Sequence, residues 1–255
     1  MKNKLLDKTG GKIIVLRIEQ LTKSYQSGEK RNIILEKLDF SVIQNDFVVI
    51  MGKSGSGKTT LLYCLGLIDD IDSGTISLNG KRIDNLGENE KAKIRLNEFG
   101  FVFQDMNLIN MLTLKENIAM PSYEQKTYSS ENVDKLIDSF GLTDFADKKP
   151  DRVSGGEKQR AAIARAIINH PKILFADEPT GSLDYQNSLS LLNLFKKMNN
   201  EGQTLVIVSH DRLVASYAKK IYFLQEKKIR QILEFDQETE EERFSAIDKA
   251  LLGLD

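Results

Sequence analysis

Residues Gly52-Lys53-Ser54-Gly55-Ser56-Gly57-Lys58-Thr59, with Thr60 behind them, satisfy every fixed position of the phosphate-loop pattern G-x-x-x-x-G-K-[ST]. Glycines at this spacing let backbone N–H groups turn inward around phosphate oxygens. A helix starting at the loop's end adds its partial positive charge there. In such a loop Lys58 reaches the β- and γ-phosphates, and the Thr59 hydroxyl is placed on Mg²⁺. The bland alternative is a serine-glycine loop that happens to hold a lysine. The flanks argue against it: Phe47-Val48-Val49-Ile50-Met51 is an apolar run of strand type, and Thr60-Leu61-Leu62-Tyr63-Cys64-Leu65 reads as a helix start.

A second constellation lies at Ile173-Leu174-Phe175-Ala176-Asp177-Glu178, an apolar strand ending in two carboxylates. Buried strands of an open α/β sheet deliver their carboxyl ends to the ligand crevice. Asp177 is there placed to bind Mg²⁺ through water, and Glu178 to orient or deprotonate an attacking water. Acids before a proline also mark turns, so the pair alone would not separate these readings. A third stretch is Val153-Ser154-Gly155-Gly156-Glu157-Lys158-Gln159-Arg160. Ser154 is a natural N-cap, and Glu157 three residues on completes a capping box. The paired glycines leave that helix start bare, which makes a second anion site. Taken locally, an ordinary helix cap explains it equally well.

The elements that must position these groups follow from patterning. Ile13 to Ile18 reads as a strand, Gln26 to Lys30 as a turn, and Ile33 to Val42 as a half-buried antiparallel strand. A turn, strand and turn run from Ser73 to Gly80, a charged helix from Glu88 to Asn97, and a strand from Phe99 to Phe103 that ends at Gln104. The pattern is helical from about Thr113 to Phe145, and a further helix opens at Ser154 and runs to about Asn169. Helix 184–200, strand 204–208, helix 211–218 and strand 220–224 complete an α/β alternation, which argues for a parallel sheet with helices on both faces. Residues 1–12 read as a tail, and 236–255 as an acidic segment leading into an amphipathic helix with Phe244, Ile247 and Leu251 on one side.

The chain has 255 residues, and its 36 basic residues balance 37 acidic ones to a net charge of −1, so no nucleic-acid partner is expected. One cysteine excludes an internal disulfide and fits a reducing cytosol. No apolar run approaches the roughly 18–20 residues of a spanning helix. No His/Cys cluster has zinc spacing; Cys64 reads as packing, and His170 before Pro171 suits a helix C-terminus.

In combination and in this order, the motifs resemble those of the ATP-binding cassette (ABC) ATPases over about residues 13 to 235. The resemblance implies an α/β fold: a P-loop NTPase (RecA-like) core with a mixed sheet, an antiparallel β subdomain, and an α-helical subdomain inserted at about 104–165. It implies ATP and Mg²⁺ as nucleotide and metal. Tyr25 matches the aromatic residue stacked on adenine, Gln104 the glutamine that senses Mg²⁺ and the attacking water, and His210 the switch histidine at the γ-phosphate. Ser182-Leu183-Asp184 matches the loop that crosses to the partner subunit. Two subunits would pack head to tail as an ATP-dependent homodimer, with Ser154, Gly155, Gly156 and Glu157 of one closing over the ATP held by the other. The signature departs from the usual form in having Val153 for Leu and Glu157 where Gln is frequent; Ser154 and Gly156 are retained.

Phe101 to Ile109, Leu112 to Ile118 and Ala176 to Asp184 are similar to the branch serving macrolide efflux, lipoprotein release and antimicrobial-peptide resistance. His210 to Ala218 and the C-terminal helix are similar to the bacitracin-resistance type. That resemblance implies an ATPase on the cytoplasmic face of the membrane, held there by an integral permease of FtsX-like type, with a membrane histidine kinase as a further partner. The alternative is a non-transport ABC ATPase acting as a signalling or cell-envelope regulator of the division type. Apolar residues near Met106, Leu108, Ile109, Met111 and Leu112 suggest a surface for the permease.

Overall fold

The computed structural model describes residues 13–28 and 30–253, Ser27 by its backbone alone. The tail expected over 1–12, Glu29 of the expected turn, and the last two residues of the expected C-terminal segment lie outside the described residues. In chain order the elements are β1 (Ile14–Ser27), β2 (Lys30–Ile43), β3 (Phe47–Met51), α1 (Lys58–Leu65), β4 (Ser73–Leu78), β5 (Lys81–Arg82) and α2 (Glu88–Glu98). There follow β6 (Phe99–Val102), α3 (Leu114–Gln125), α4 (Ser130–Ser139), α5 (Gly155–Ile167), β7 (Ile173–Asp177) and α6 (Tyr185–Asn200). The chain closes with β8 (Thr204–Val208), α7 (Arg212–Ser216), β9 (Lys220–Gln225), β10 (Lys228–Glu234) and α8 (Glu240–Leu252).

These strands form two sheets, a four-stranded one ordered β2-β1-β4-β5 and a six-stranded one ordered β10-β9-β3-β8-β7-β6. The first is antiparallel throughout. The second is parallel from β9 to β6, and β10 adds an antiparallel edge, so the sheet is mixed. Every residue of β3, β7 and β8 is buried, as expected of central strands covered on both faces. Strand periodicity divides their side chains between two cores. Phe47, Val49, Met51, Leu174, Ala176, Leu205 and Ile207 face the layer of α3 to α8. Val48, Ile50, Ile173, Phe175, Val206 and Val208 face α1 and the antiparallel sheet.

Three expectations are corrected, and one is resolved into finer elements. β1 and β2 are longer than the predicted strands, and β1 runs through Gln26 and Ser27, leaving the turn at Gly28 with φ +61°. The helical stretch from 113 to 145 is two helices: Lys126 caps α3 at φ 59°, and the Ser129 hydroxyl accepts from the Asn132 N–H to start α4. β6 stops at Val102, before Phe103. Of the apolar residues offered as a docking surface, Met106 and Leu108 pack against the helical core, whereas Ile109 and Met111 are exposed. No helix among the described residues is long and apolar enough to cross a membrane.

Candidate active site

Strand β3 runs into its loop at Gly52, where a Cβ would stand 2.3 Å from the Leu224 carbonyl oxygen; only glycine fits between β3 and β9. At Gly57 φ is +99°, a left-handed value that favours glycine, and a Cβ would lie 2.9 Å from the Ile34 methyl. Gly57 is also the N-cap of α1 and supplies no side-chain cap, so the first N–H groups of that helix are free for an anion. Lys58 Nζ donates to the carbonyls of Gly52 at 2.9 Å and Lys53 at 3.1 Å, bridging the loop from inside. Burial pushes this ammonium below the usual lysine range, although Glu178 and Asp177 pull it the other way. The buried Ser56 Oγ has no hydrogen-bond partner.

The ends of β7 and β8 meet this loop. Thr59 Oγ1 donates to Asp177 Oδ1 at 3.0 Å. Asp177 is 1% exposed, and burial raises its carboxyl above the ordinary range, with the neighbouring Glu178 charge adding to the rise. Glu178 has φ 44°, a left-handed conformation that costs a residue with a Cβ on the order of 1–2 kcal/mol. Its carboxylate is held on two sides: Ser209 Oγ donates to Oε2 at 3.2 Å, and His210 Nδ1 lies 2.9 Å from Oε1. Glu178, His210, Gln104 and the loop residues Gly52 to Gly55 and Gly57 to Thr60 line one cavity of about 840 Å³. That volume lies within the usual range of roughly 300–1,000 Å³ for small-molecule sites.

Tyr25 does not line the cavity; its hydroxyl donates to Asp69 and lies beside Thr60, which does line it. Burial raises that phenol to about 12. Ser154, Gly155, Gly156, Glu157 and Asp184 do not line the cavity. The Ser154 and Glu157 side chains satisfy each other's backbone N–H at the start of α5, and Asp184 accepts from the Asn187 N–H to cap α6. A Cβ on Gly156 would stand 3.0 Å from Asn187 Oδ1, so these two helix starts sit side by side.

Other residues of the site escaped the sequence reading. Tyr63 lies beside Asp177, whose charge adds to burial in raising the phenol, and packs edge-on against Phe101 and Phe103. Its spacing of four from Thr59 puts both on one helix face, a usable but weak signal. Ile34, Met51, Gly181 and Leu251 also line the cavity, and nothing local marks them. Arg165 of α5 donates to the carbonyls of Met106 and Asn107 at 2.7 and 2.6 Å, pinning the segment after Gln104.

A glycine-walled loop at a bare helix start, a lysine inside it, and a hydroxyl–carboxylate pair beside it define a nucleoside-triphosphate site of the P-loop class. The residues fit that nucleotide and its Mg²⁺ on their own chemistry: an uncapped helix start, a partly desolvated ammonium and a hard oxygen pair come together there. The family model described as ABC transporter matches residues 35–181, more than half of the chain. An uncharacterised ABC transporter ATP-binding protein of Methanocaldococcus jannaschii is 38% identical over 86% of this chain and 99% of its own length. The bacitracin export ATP-binding protein BceA of Halalkalibacterium halodurans is 38% identical over 92% of this chain and 94% of its own. The macrolide export ATP-binding/permease protein MacB of Bdellovibrio bacteriovorus is 37% identical over 85% of this chain, which spans only 33% of that relative. Among solved structures, a dimeric post-hydrolysis state of the ATP-binding cassette MJ0796 bound to ADP and Pi aligns at TM-score 0.81 and 34% identity, over 88% of this chain and 100% of that one. The chain belongs to the ABC transporter family, as an ATP-binding cassette ATPase that uses ATP and Mg²⁺.

Proposed function

We propose that this cassette hydrolyses ATP to drive a separate membrane permease that exports an antimicrobial peptide or antibiotic. The observation that carries the catalytic part is the junction of the phosphate loop with the β7 end, where Thr59 bonds Asp177 and the adjacent Glu178 faces the same cavity. Thr59, Asp177 and Gln104 are the residues to hold magnesium, which when bound supplies positive charge to the phosphate oxygens. Lys58 supplies a second cation. Glu178 orients the attacking water and takes its proton, and Ser209 and His210 fix the carboxylate for that task. We assign the adenine platform to Tyr25. Ser154, Gly155, Gly156, Glu157 and Asp184 are assigned to the partner-facing side of a head-to-tail ATP dimer, which their absence from the cassette's own cavity supports.

The relatives named for bacitracin and macrolide export support the substrate class. An FtsX-like permease, an attached histidine kinase and a place on the cytoplasmic membrane face belong to the same proposal. So do the domain limits: a cassette over 13–235, a helical subdomain inserted at about 104–165, and 236–255 as a C-terminal appendage. The permease surface is reassigned. A groove of about 410 Å³ between the sheet edge and α3 is lined by Ile68, Phe101, Phe103 and Met120, and it replaces the segment around Leu108. Co-purification with candidate membrane proteins tests this, followed by ATPase assays in vesicles with cationic peptides and macrolides. We expect one permease to co-purify, peptide to stimulate turnover, and Met120→Glu to break the complex while nucleotide binding persists. Co-purification with a small division-type membrane protein, without stimulation by any such compound, would favour the regulator.

A further inference from the structure

The loop 66–73 behind α1 is bound to β1 by a set of polar contacts that the catalytic reading does not use. Asp72 N–H donates to the Thr22 carbonyl at 2.9 Å, and the Ser24 hydroxyl donates to the Asp72 carboxylate at 2.6 Å. Between them, Asp69 takes two hydrogen bonds at once: Lys23 Nζ donates to Oδ1 at 2.6 Å, and the Tyr25 hydroxyl to Oδ2 at 2.5 Å. Lys23 Nζ also donates to the Asp70 carbonyl at 2.7 Å. That same ammonium lies over the Tyr25 ring, 4.8 Å from its centroid, and Lys23 is itself buried. One face of the ring is thereby covered by a cation. Tyr25 as a whole is 42% exposed.

A ring held at its hydroxyl and covered on one face is restricted in orientation and can offer only its other face to a ligand. Every nucleobase has a π-face that stacks on such a ring, and ordering the ring beforehand removes an entropic cost of binding. The cation behind it also draws on the ring's electron density.

We propose that Asp69 and Lys23 are positioning residues that fix Tyr25 as a one-sided nucleobase platform. This rests on the nucleotide reading of the cavity and deepens it. Loop 66–73 follows α1 directly, and α1 begins with Lys58 and Thr59. The distance between phosphate grip and base platform is then set by one helix and the carboxylate behind it.

The test titrates the full chain calorimetrically with two probes, MgADP and magnesium tripolyphosphate, which lacks the base. Asp69→Asn and Tyr25→Phe should each weaken MgADP by about threefold to tenfold, the scale of partial loss of a base stack. Both should leave tripolyphosphate within about twofold, and the double variant should be no weaker for MgADP than the worse single one. Tyr25→Phe keeps the ring's shape, so it covers the case in which Asp69→Asn fails to fold. The clamp is overturned if either variant weakens both probes alike, if neither weakens MgADP, or if the two losses multiply. A wild-type chain that binds neither probe would instead overturn the nucleotide reading beneath it.

Discussion

The cavity around Lys58 and the paired helix starts at Ser154 and Asp184 hold similar residues under opposite conditions. In and just behind the cavity, polar groups are held at a cost: Lys58 is partly desolvated and Glu178 sits at φ 44°, while behind them Asp177 is buried and Ser56 Oγ lacks a partner. At the helix starts the capping groups are locally content. Ser154 and Glu157 cap each other, Asp184 caps α6, and Asp184 is held below the usual carboxylate range by the Asn187 backbone N–H. Strain of the first kind persists where the surrounding structure over-determines it and function uses it. Local satisfaction of the second kind is what a helix needs whether or not it meets a partner. The structure of one chain therefore speaks directly for the cavity, and the helix starts must be questioned by substitution.

The largest expected effect falls on the strained side. Glu178→Gln should reduce steady-state phosphate release by about 10²–10⁴-fold, the usual span for a general base, and leave ATP binding intact. Release near the wild-type rate would remove the contrast, because the φ 44° conformation would then have no catalytic use.

A smaller but more discriminating effect is expected at Ser154. Aspartate caps a helix about as well as serine, so Ser154→Asp should melt within about 2 °C of the wild type. It should nonetheless weaken ATP-dependent dimerisation by at least about tenfold, because it sets a carboxylate against a phosphate. Light scattering in the Glu178→Gln background measures this. If Ser154→Asp dimerises normally and Ser154→Ala only lowers the melting temperature, the residue is a cap.

The smallest effect is one of stability. Burial raises the Asp177 carboxyl above its ordinary value of 3.8, so the native state holds that proton more tightly than the unfolded chain does. Its contribution to stability falls as pH rises from the unfolded value through the folded one, and stays low at neutral pH. Asp177→Asn still accepts from Thr59 and should raise the melting temperature by about 1–4 °C at pH 7. That advantage should shrink as pH drops toward 4. Calorimetry across that pH window checks the sign, and an advantage that grows on acidification would reverse the assignment.

Legibility in the sequence followed the range of the interactions. The phosphate loop, the Asp177-Glu178 strand end and the capping box are written in consecutive residues, because each is a backbone shape with fixed spacing. Tyr63 and Ile34 reach the site from a helix face and from another sheet, and no local pattern announces that meeting. β10 is an edge strand with almost no buried residue, so the alternation that marks half-buried strands is missing from it. Met106 and Leu108 looked like a bare apolar run; Arg165, 59 and 57 positions along the chain, holds their segment against the helical core. The helical pattern from 113 to 145 did not show where the chain breaks, because the break is made by the left-handed backbone at Lys126 and the short non-helical segment that follows it.

The left-handed backbone at Glu178 also bears on heredity. A glycine or asparagine relaxes there at little cost, whereas glutamate does not. Heat resistance and turnover therefore pull this position in opposite directions. A library of this gene selected only for surviving heat should accumulate the substitutions Glu178→Gly and Glu178→Asn, and sequencing the survivors would show it. Those proteins would be sturdier and unable to turn over ATP. On this account, continuous selection for activity keeps a glutamate in a conformation that its own backbone disfavours.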